Sequence, residues 1–373
     1  MNHAACRRHA ARRRPARALS AAITALAAAV LAAAVPASLP GQTLQGRIID
    51  DADRPIAGAF VILFDETGEE RARALTTGKG AYLLRASEPG VFRLTVERIG
   101  FEDRTTDPIP LADGQSVSHQ VRIQPRPVRL DRIEVAATSR CAVLSDEGEA
   151  LEVVRVWDEA RKALEATAWT DRQSYYRFDI LLVRRTLDRN GEPRTEPVYE
   201  PIRVYGRHPF RSTEADDLAF GGWVQPDGAR GLKFFAPDAE VLLSNSFESR
   251  HCFYLVRPES RRNGLIGIGF EPLPERTIAD ISGVLWLDAA TAELRSLDFR
   301  YERLRLPVSS EHLGGHVEFD ALPDGGWIVR RWEIRTPLAE VHEAKSFSGR
   351  RSQRLRLSGL RAEGQLVTAV WRT

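Results

Sequence analysis

The chain has 373 residues, 28% of them charged and 43% hydrophobic. That composition excludes a disordered or fibrous polymer and leaves room for two or three domains, each with its own core. The formal charge of +2 rests on Arg7, Arg8, Arg12, Arg13, Arg14 and Arg17, within 41 residues that hold no acid; without them +2 becomes −4. A mildly acidic body excludes the basic footprint of a nucleic-acid-binding protein.

Residues 1–41 read as an export signal: a basic start, the apolar run "ALSAAITALAAAVLAAAV", then small-residue cleavage sites after Ala37 or Gly41. The alternative is an uncleaved anchor, but 18 Ala-rich residues are close to the minimum for a bilayer span and insert weakly. Cys6 precedes the apolar run, and no later run is long enough to be a transmembrane helix. The expected location is the periplasm or the outer-membrane-associated cell surface of a Gram-negative envelope. Removal of the signal leaves Cys141 and Cys252, a disulfide candidate in an oxidising compartment. Its closed loop would contribute at most about 4–5 kcal/mol through chain entropy.

Residues 42–136 alternate short strands with turns. "TLQGRIID" is followed by the turn "DADRP", then by "IAGAFVILFD", apolar on both faces as a central strand would be. "RARALTT", "AYLLRA", "VFRLTVERIGF" and "SVSHQVRIQ" follow. Phe92, Leu94 and Val96 share one face, and Val117, His119, Val121 and Ile123 another. His119 so placed reads as a core histidine. Seven or so strands without a helical period predict an antiparallel β-sandwich. Gly80 and Gly90 follow turns and are expected at φ > 0, while Gly58 and Gly100 are expected where backbones approach closely.

The residues Gly46, Ile48, Asp50, Pro55, Ile56, Gly58, Ala59, Val61, Thr77, Gly80, Tyr82, Leu84, Pro89, Gly90, Phe92, Leu94, Val96, Gly100 and Phe101 form a distributed pattern. It resembles the carboxypeptidase regulatory-like domain, a transthyretin-like sandwich. One departure is Lys79, where that family often has Asp or Asn. The resemblance implies an accessory module and no peptidase activity. A zinc carboxypeptidase needs H-x-x-E and a distant His; His3, His9, His119, His208, His251, His312, His316 and His342 begin no such motif. "LDRIEV" at 130–135 is similar to the segment that joins such a domain to the plug and barrel of TonB-dependent receptors. Here it reads as the exit of the sandwich, with 137–147 as linker. The 237 residues after position 136 cannot supply both a plug and a barrel of about 22 strands.

After the linker one helix is predicted through "LSDEGEALEVVRVWDEARKALEATAW", with Leu151, Val154, Trp157, Ala160, Leu164 and Ala168 on the apolar face and Ser145 or Asp146 as cap. About ten meandering strands follow. "RNGEPRTEP", "DAATA" and "LPDGG" are hairpin turns, "DAEVLLSNSFESRHCFYLV" gives one or two strands, and 212–231 is a lid-like loop. The predicted class is mainly β: a sandwich, then an α+β domain over 148–373 with one long helix on a large curved antiparallel sheet. Ile281, Gly283, Leu285, Leu287, Asp288, Thr291 and Leu294 give this region a resemblance, over one hairpin, to lipoprotein-carrier half-barrels. Trp223, Phe234, Phe235, Trp286, Tyr301, Trp327 and Trp332 are the candidate lining of an apolar concavity beneath the lid.

Chemistry is sparse. Glu271, Glu275, Asp280 and Asp288 are carboxylates at strand ends, Ser244 and Ser246 lack a nucleophile-elbow context, and His251 beside Cys252 has no second ligand pair at metal spacing. The expected protein is an exported, non-enzymatic envelope protein without catalytic residues, metal or cofactor. It would bind an apolar or lipid ligand or an envelope protein partner. An outer-membrane transport-related protein is the alternative.

Overall fold

The computed structural model describes residues 41–126, 147–173, 175–205, 210–228, 231–257, 262–304, 312–345 and 351–372. The expected export signal (apart from Gly41), the exit segment "LDRIEV", Cys141, and the capping residues Ser145 and Asp146 lie outside them.

The N-terminal domain has eight strands: β1 (Gln42–Ile49), β2 (Phe60–Asp65), β3 (Glu70–Leu75), β4 (Ala81–Ala86), β5 (Gly90–Glu97), β6 (Arg104–Thr105), β7 (Ile109–Leu111) and β8 (Ser116–Arg122). They form two sheets, β4-β1-β8 and β3-β2-β5-β6 with β7 also on β5. Leu44, Ile48, Val61, Leu63, Leu84, Phe92, Leu94, Val96 and Val121 fill the space between them. One pairing departs from the expected antiparallel sandwich: β1 and β8, the first and last strands, run parallel. Gly46 lies in that pair, where an added Cβ would fall 1.8 Å from the carbonyl oxygen of His119. That carbonyl also accepts the Tyr82 hydroxyl at 2.7 Å, and His119 is half-buried. Gly80 takes φ +70° as expected, whereas Gly90 opens β5 without a positive φ.

The second region opens with helix α1 (Glu147–Gln173). Strands β9 (Tyr176–Leu187) and β10 (Val198–Tyr205) precede α2 (Ala215–Gly221) and the small hairpin β11 (Val224–Asp227) and β12 (Gly231–Phe234). Two short helices, α3 (Ala239–Leu242) and α4 (Asn245–Glu248), lead into β13 (His251–Val256), β14 (Leu265–Pro272), β15 (Asp280–Asp288), β16 (Leu294–Glu302), β17 (Gly314–Ala321), β18 (Trp327–Lys345) and β19 (Arg351–Arg372). Nine of these strands form one antiparallel sheet, β10-β9-β19-β18-β17-β16-β15-β14-β13.

Two sequence expectations need correction here. Residues 212–228 are not an irregular lid but α2 and the first arm of a hairpin, and the stretch 238–256, expected to give one or two strands, gives one, β13, with residues 239–242 and 245–248 before it helical. Asp238 and Ser244 decide the latter: their side chains accept the N–H groups of Val241 and Phe247 and cap α3 and α4.

Helix α1 lies between the two regions. Its sheet side carries Trp157, whose ring meets Phe253 of β13 at 4.5 Å. Its other side meets the outer face of the β3-β2-β5 sheet, where Phe60 and Ile62 join the same apolar core as Val156, Ala160, Leu164, Ile268 and Tyr301. Phe60 stacks edge-on against Trp169 at 5.9 Å. The two apolar faces of β2 thus have two destinations, the sandwich core and the helix.

This double burial shifts the expected helix face. Leu151 and Val154 are 61% and 63% exposed, because they lie on the outward stripe of a helix whose buried face is turned toward Val153 and Val156. Val153 and Val156 are buried in their place, and so are Glu159 and Lys162. Those two charges face the sandwich. Glu159 Oε2 accepts the Gly100 N–H at 2.7 Å. The Lys162 ammonium reaches Asp103, Asp158 and Glu159 at 2.8, 3.1 and 3.3 Å. Burial pushes the Glu159 carboxyl above its usual range, against the pull of Lys162 and the Gly100 amide. Gly58 and Gly100 sit where the expected close approach occurs, but the approach is to the second region. A Cβ on Gly58 would lie 2.8 Å from Gly325 O, and one on Gly100 would lie 2.5 Å from Thr291 O.

Lys162→Met is therefore expected to destabilise the protein by about 3 kcal/mol, because it leaves Glu159 buried without its counter-charge while Asp103 and Asp158 keep some water. Arg184→Ala, which breaks an exposed pair with Glu200, is expected to cost under about 0.5 kcal/mol. Urea unfolding of both variants checks the contrast, and equal losses would remove the claim.

Candidate functional site

The seven aromatic residues expected to line an apolar concavity do not line one. Trp223 and Tyr301 are 2% and 0% exposed, and Phe235 and Trp327 are also buried in the core that α1 closes. Phe234 and Trp332 pack against that core, Phe234 on Tyr301 at 5.2 Å and Trp332 on Phe210 at 5.3 Å. The Tyr301 hydroxyl donates to the Phe235 carbonyl at 2.9 Å, tying the segment after β12 to the sheet. Trp286 lies on the opposite face, because strand alternation that sends Leu285 into the core turns its neighbour away. The expected pocket is a filled core: a helix and two hairpin arms supply the apolar surface that a ligand would have supplied.

The candidate carboxylates do not converge either. Asp288 accepts the amides of Ala290 and Thr291 and shapes the β15–β16 turn. Glu275 is exposed in a loop, and Glu271 sits on β14. Asp280 is fully buried, bonded by His251 Nε2 at 3.1 Å, by the Ile281 amide at 2.8 Å and by Arg276. Burial alone would raise its pKa; these donors outweigh it and hold the carboxyl below the usual range. His251 Nδ1 donates to the Phe247 carbonyl at 2.9 Å. Both of its ring nitrogens are thus engaged in tying β13 to α4 and β15, and the metal reading beside Cys252 has no ligand atom to use. Among the described residues no group of three His, Cys, Asp or Glu side chains is arranged to hold a metal ion.

A cleft opens instead where the two regions meet at the C-terminal end of α1. It encloses about 340 Å³ and draws on six elements. Arg73 of β3 and Leu83 of β4 form the sandwich wall, and Trp169 and Gln173 end the helix. Tyr175 precedes β9 and Tyr176 opens it, and Asp324 and Arg372 complete the lining. Tyr176 donates its hydroxyl to Asp324 Oδ2 at 2.9 Å, and Arg372 reaches the same oxygen at 3.3 Å. Asp324 Oδ1 is buried and accepts no hydrogen bond from the described residues. The Arg73 guanidinium is held by Glu70 at 2.9 Å and by Glu165 at 3.2 Å. Tyr175 and Leu83 are each 49% exposed. Sequence reading missed the cleft because its residues are scattered from 73 to 372; the adjacent Tyr175 and Tyr176 after a long helix are the nearest thing to a local signal.

A second polar group lies on the sheet face away from α1. His316 Nδ1 contacts Asp298 Oδ1 at 2.6 Å and Nε2 contacts Glu318 at 3.3 Å, while Trp286 Nε1 and Arg262 meet Asp298 Oδ2 at 2.9 and 2.7 Å. The bond to Asp298 raises the His316 pKa above its ordinary value, against burial. With the folded pKa above the unfolded one, the stabilising contribution is whole below the unfolded value near 6.5 and is lost as pH rises through the folded value. His316→Gln is expected to flatten that decline, measured as unfolding free energy at about pH 6 and pH 9. A variant with the same pH slope as the parent would refute it. Trp223→Ala is expected to cost about 3–5 kcal/mol, as a core deletion does; a loss below about 1 kcal/mol in urea unfolding would mark Trp223 as a pocket wall instead.

Residues 43–124 match the sequence model of the family described as the carboxypeptidase regulatory-like domain. None of the curated proteins matches the chain. Among solved structures, 3-chlorocatechol 1,2-dioxygenase from Rhodococcus opacus 1CP is similar at 13% identity over 24% of this chain and 62% of that one, with a TM-score of 0.18. A minor pilin of Streptococcus agalactiae is similar at 11% over 26% and 49%, TM-score 0.21. The major pilin subunit of Bacillus cereus is similar at 10% over 86% and 95%, TM-score 0.20. The chain spans 62% and 49% of the first two, and likeness this low carries no argument about fold or role. The family match stands without them: residues 43–124 form a carboxypeptidase regulatory-like domain.

Proposed function

We propose that the chain is an exported, non-enzymatic protein of the cell envelope that binds its ligand in the cleft between the regulatory-like domain and the helix-and-sheet region. The observation that carries this reading is the cleft itself, with walls from both regions. Three further features support it. Residues 1–41 have the layout of an export signal. The matched domain is regulatory by its description. The helix-and-sheet core is filled by its own side chains, which favours the joint over the expected apolar concavity in this reading.

A Cys141–Cys252 bridge belongs to the same proposal. Cys252 is half-buried at the start of β13, and its side chain is engaged rather than free. The bridge would tie the segment leaving the sandwich to the far edge of the large sheet. The outer-membrane transport alternative is disfavoured by the sheet, which ends in β10 on one side and β13 on the other with α1 across one face. No helix among the described residues is long and apolar enough to cross a membrane, which leaves strand-built spans untouched.

Expression of the full chain in a Gram-negative host tests the reading. The expected product is released by osmotic shock without detergent, has lost its first 37–41 residues, and shows no thiol when denatured without reductant. Retention in the outer membrane with a heat-modifiable gel shift would overturn it, and two free thiols would remove the bridge.

A further inference from the structure

We propose that the β17–β18 turn, residues 322–326, couples the docking of the regulatory-like domain to the shape of the cleft: it is seated by the sandwich on one side and holds the helix-and-sheet lining of the cleft on the other. This rests on the cleft being the binding site and names the regulation of that site.

On its sandwich side the turn meets its partner backbone to backbone. The Leu322 N–H donates to Gly326 O at 2.7 Å and the Gly325 N–H to Leu322 O at 2.9 Å, with Gly325 at φ +94°. A Cβ on Gly325 would lie 2.7 Å from Thr76 O and would collide with Gly58 N. One on Gly58, itself at φ +68°, would lie 2.8 Å from Gly325 O, and one on Gly78 would lie 2.8 Å from Pro323 O. Buried Thr76 fixes the sandwich half of this seat. Its Oγ1 accepts the Ala59 N–H and donates to Ile56 O, both at 2.8 Å, and its carbonyl accepts the Gly58 N–H at 3.1 Å.

The other side of the same turn carries polar ties. Asp324 accepts the Tyr176 hydroxyl, at the start of β9, at 2.9 Å and the Arg372 guanidinium, at the end of β19, at 3.3 Å. A Cβ on Gly326 would lie 2.8 Å from the Tyr176 hydroxyl oxygen and 3.2 Å from Thr170 Oγ1 of α1. The Trp327 N–H donates to that same Oγ1 at 3.0 Å. Thr170, Tyr176, Asp324, Gly326 and Arg372 all line the cleft, together with Thr77, which stands between Thr76 and Gly78 of the seat.

Five residues therefore join the sandwich, α1, β9 and β19, and the pairing of Ala321 with Trp327 pins both ends of the turn. So short a turn cannot shift on one side and stay on the other. Contact between backbones leaves no flexible side chain to give way, so a single added methyl must part the two regions or displace the turn.

The test compares three alanine variants of the full chain with the parent by hydrogen-exchange mass spectrometry, with circular dichroism to check folding. Gly325→Ala carries the wedge. Gly264→Ala carries backbone strain alone, at φ +86° with nothing within 4 Å of an added Cβ. Gly78→Ala is a wedge without a positive φ and is read in place of Gly325→Ala if that variant does not fold. The expected result is exchange about tenfold faster or more in the wedge variants, at 57–60 and 74–78 in the sandwich and also at 169–173, 176–178 and 370–372 across the joint, with Gly264→Ala unchanged there. Faster exchange confined to the sandwich overturns the coupling. Wedge variants that match Gly264→Ala overturn the seat as well. No ligand enters these readouts, so a failure here is distinct from a failure of the cleft as a binding site.

Discussion

The burial of one helix between two β layers is the constraint on which the rest depends. Helix α1 covers the outer face of the sandwich sheet on one side and the nine-stranded sheet on the other. A helix in that position needs apolar groups on more of its circumference than an ordinary surface helix does. It meets the need with small residues, Ala160, Ala163, Ala166 and Ala168, which let both layers come close. Where it carries charge it must carry counter-charge, and Lys162 with Glu159, Asp158 and Asp103 does so. Such a cluster is weak evidence for net stability but strong evidence for one docking geometry, since any other arrangement strands a buried charge.

Two consequences follow for function. The core that a ligand could have entered is closed, so its tryptophans and tyrosines act as packing. The joint leaves an opening at the C-terminal end of the helix, and the residues there are held by the same docking. The regulatory-like domain is thus a wall of the cleft as well as an appendage. Its Gly58 and Gly100, which give the backbone room for Gly325 and Thr291, are part of what seats it.

Much of the architecture was legible because it is encoded locally. Alternation gave the sandwich strands, Asn190-Gly191 and Asp288 marked hairpins, and the apolar period placed a helix in the right stretch. Three errors arose where tertiary context decides. The helix face was drawn from its apolar residues, and Leu151 and Val154 proved exposed while Val153 and Val156 are buried, since a helix apolar on several stripes does not tell which stripe its neighbours will cover. The stretch 238–256 was expected to give one or two strands and gives one, because Asp238 and Ser244 cap two short helices ahead of β13. The aromatic concavity was inferred from residue type, which cannot distinguish a core from a pocket.

By itself the sequence determined the regulatory-like sandwich, a long helix and a large antiparallel sheet, along with an acidic body and a candidate export signal, because each rests on composition or on periods a few residues long. Tertiary structure decided which helix faces are buried, where the charges of α1 find partners, and that Arg73, Tyr175, Asp324 and Arg372 share a cleft. The physical reason is distance along the chain: those residues lie up to about 300 positions apart, and only the docking of two finished layers on one helix brings them within reach of a single ligand.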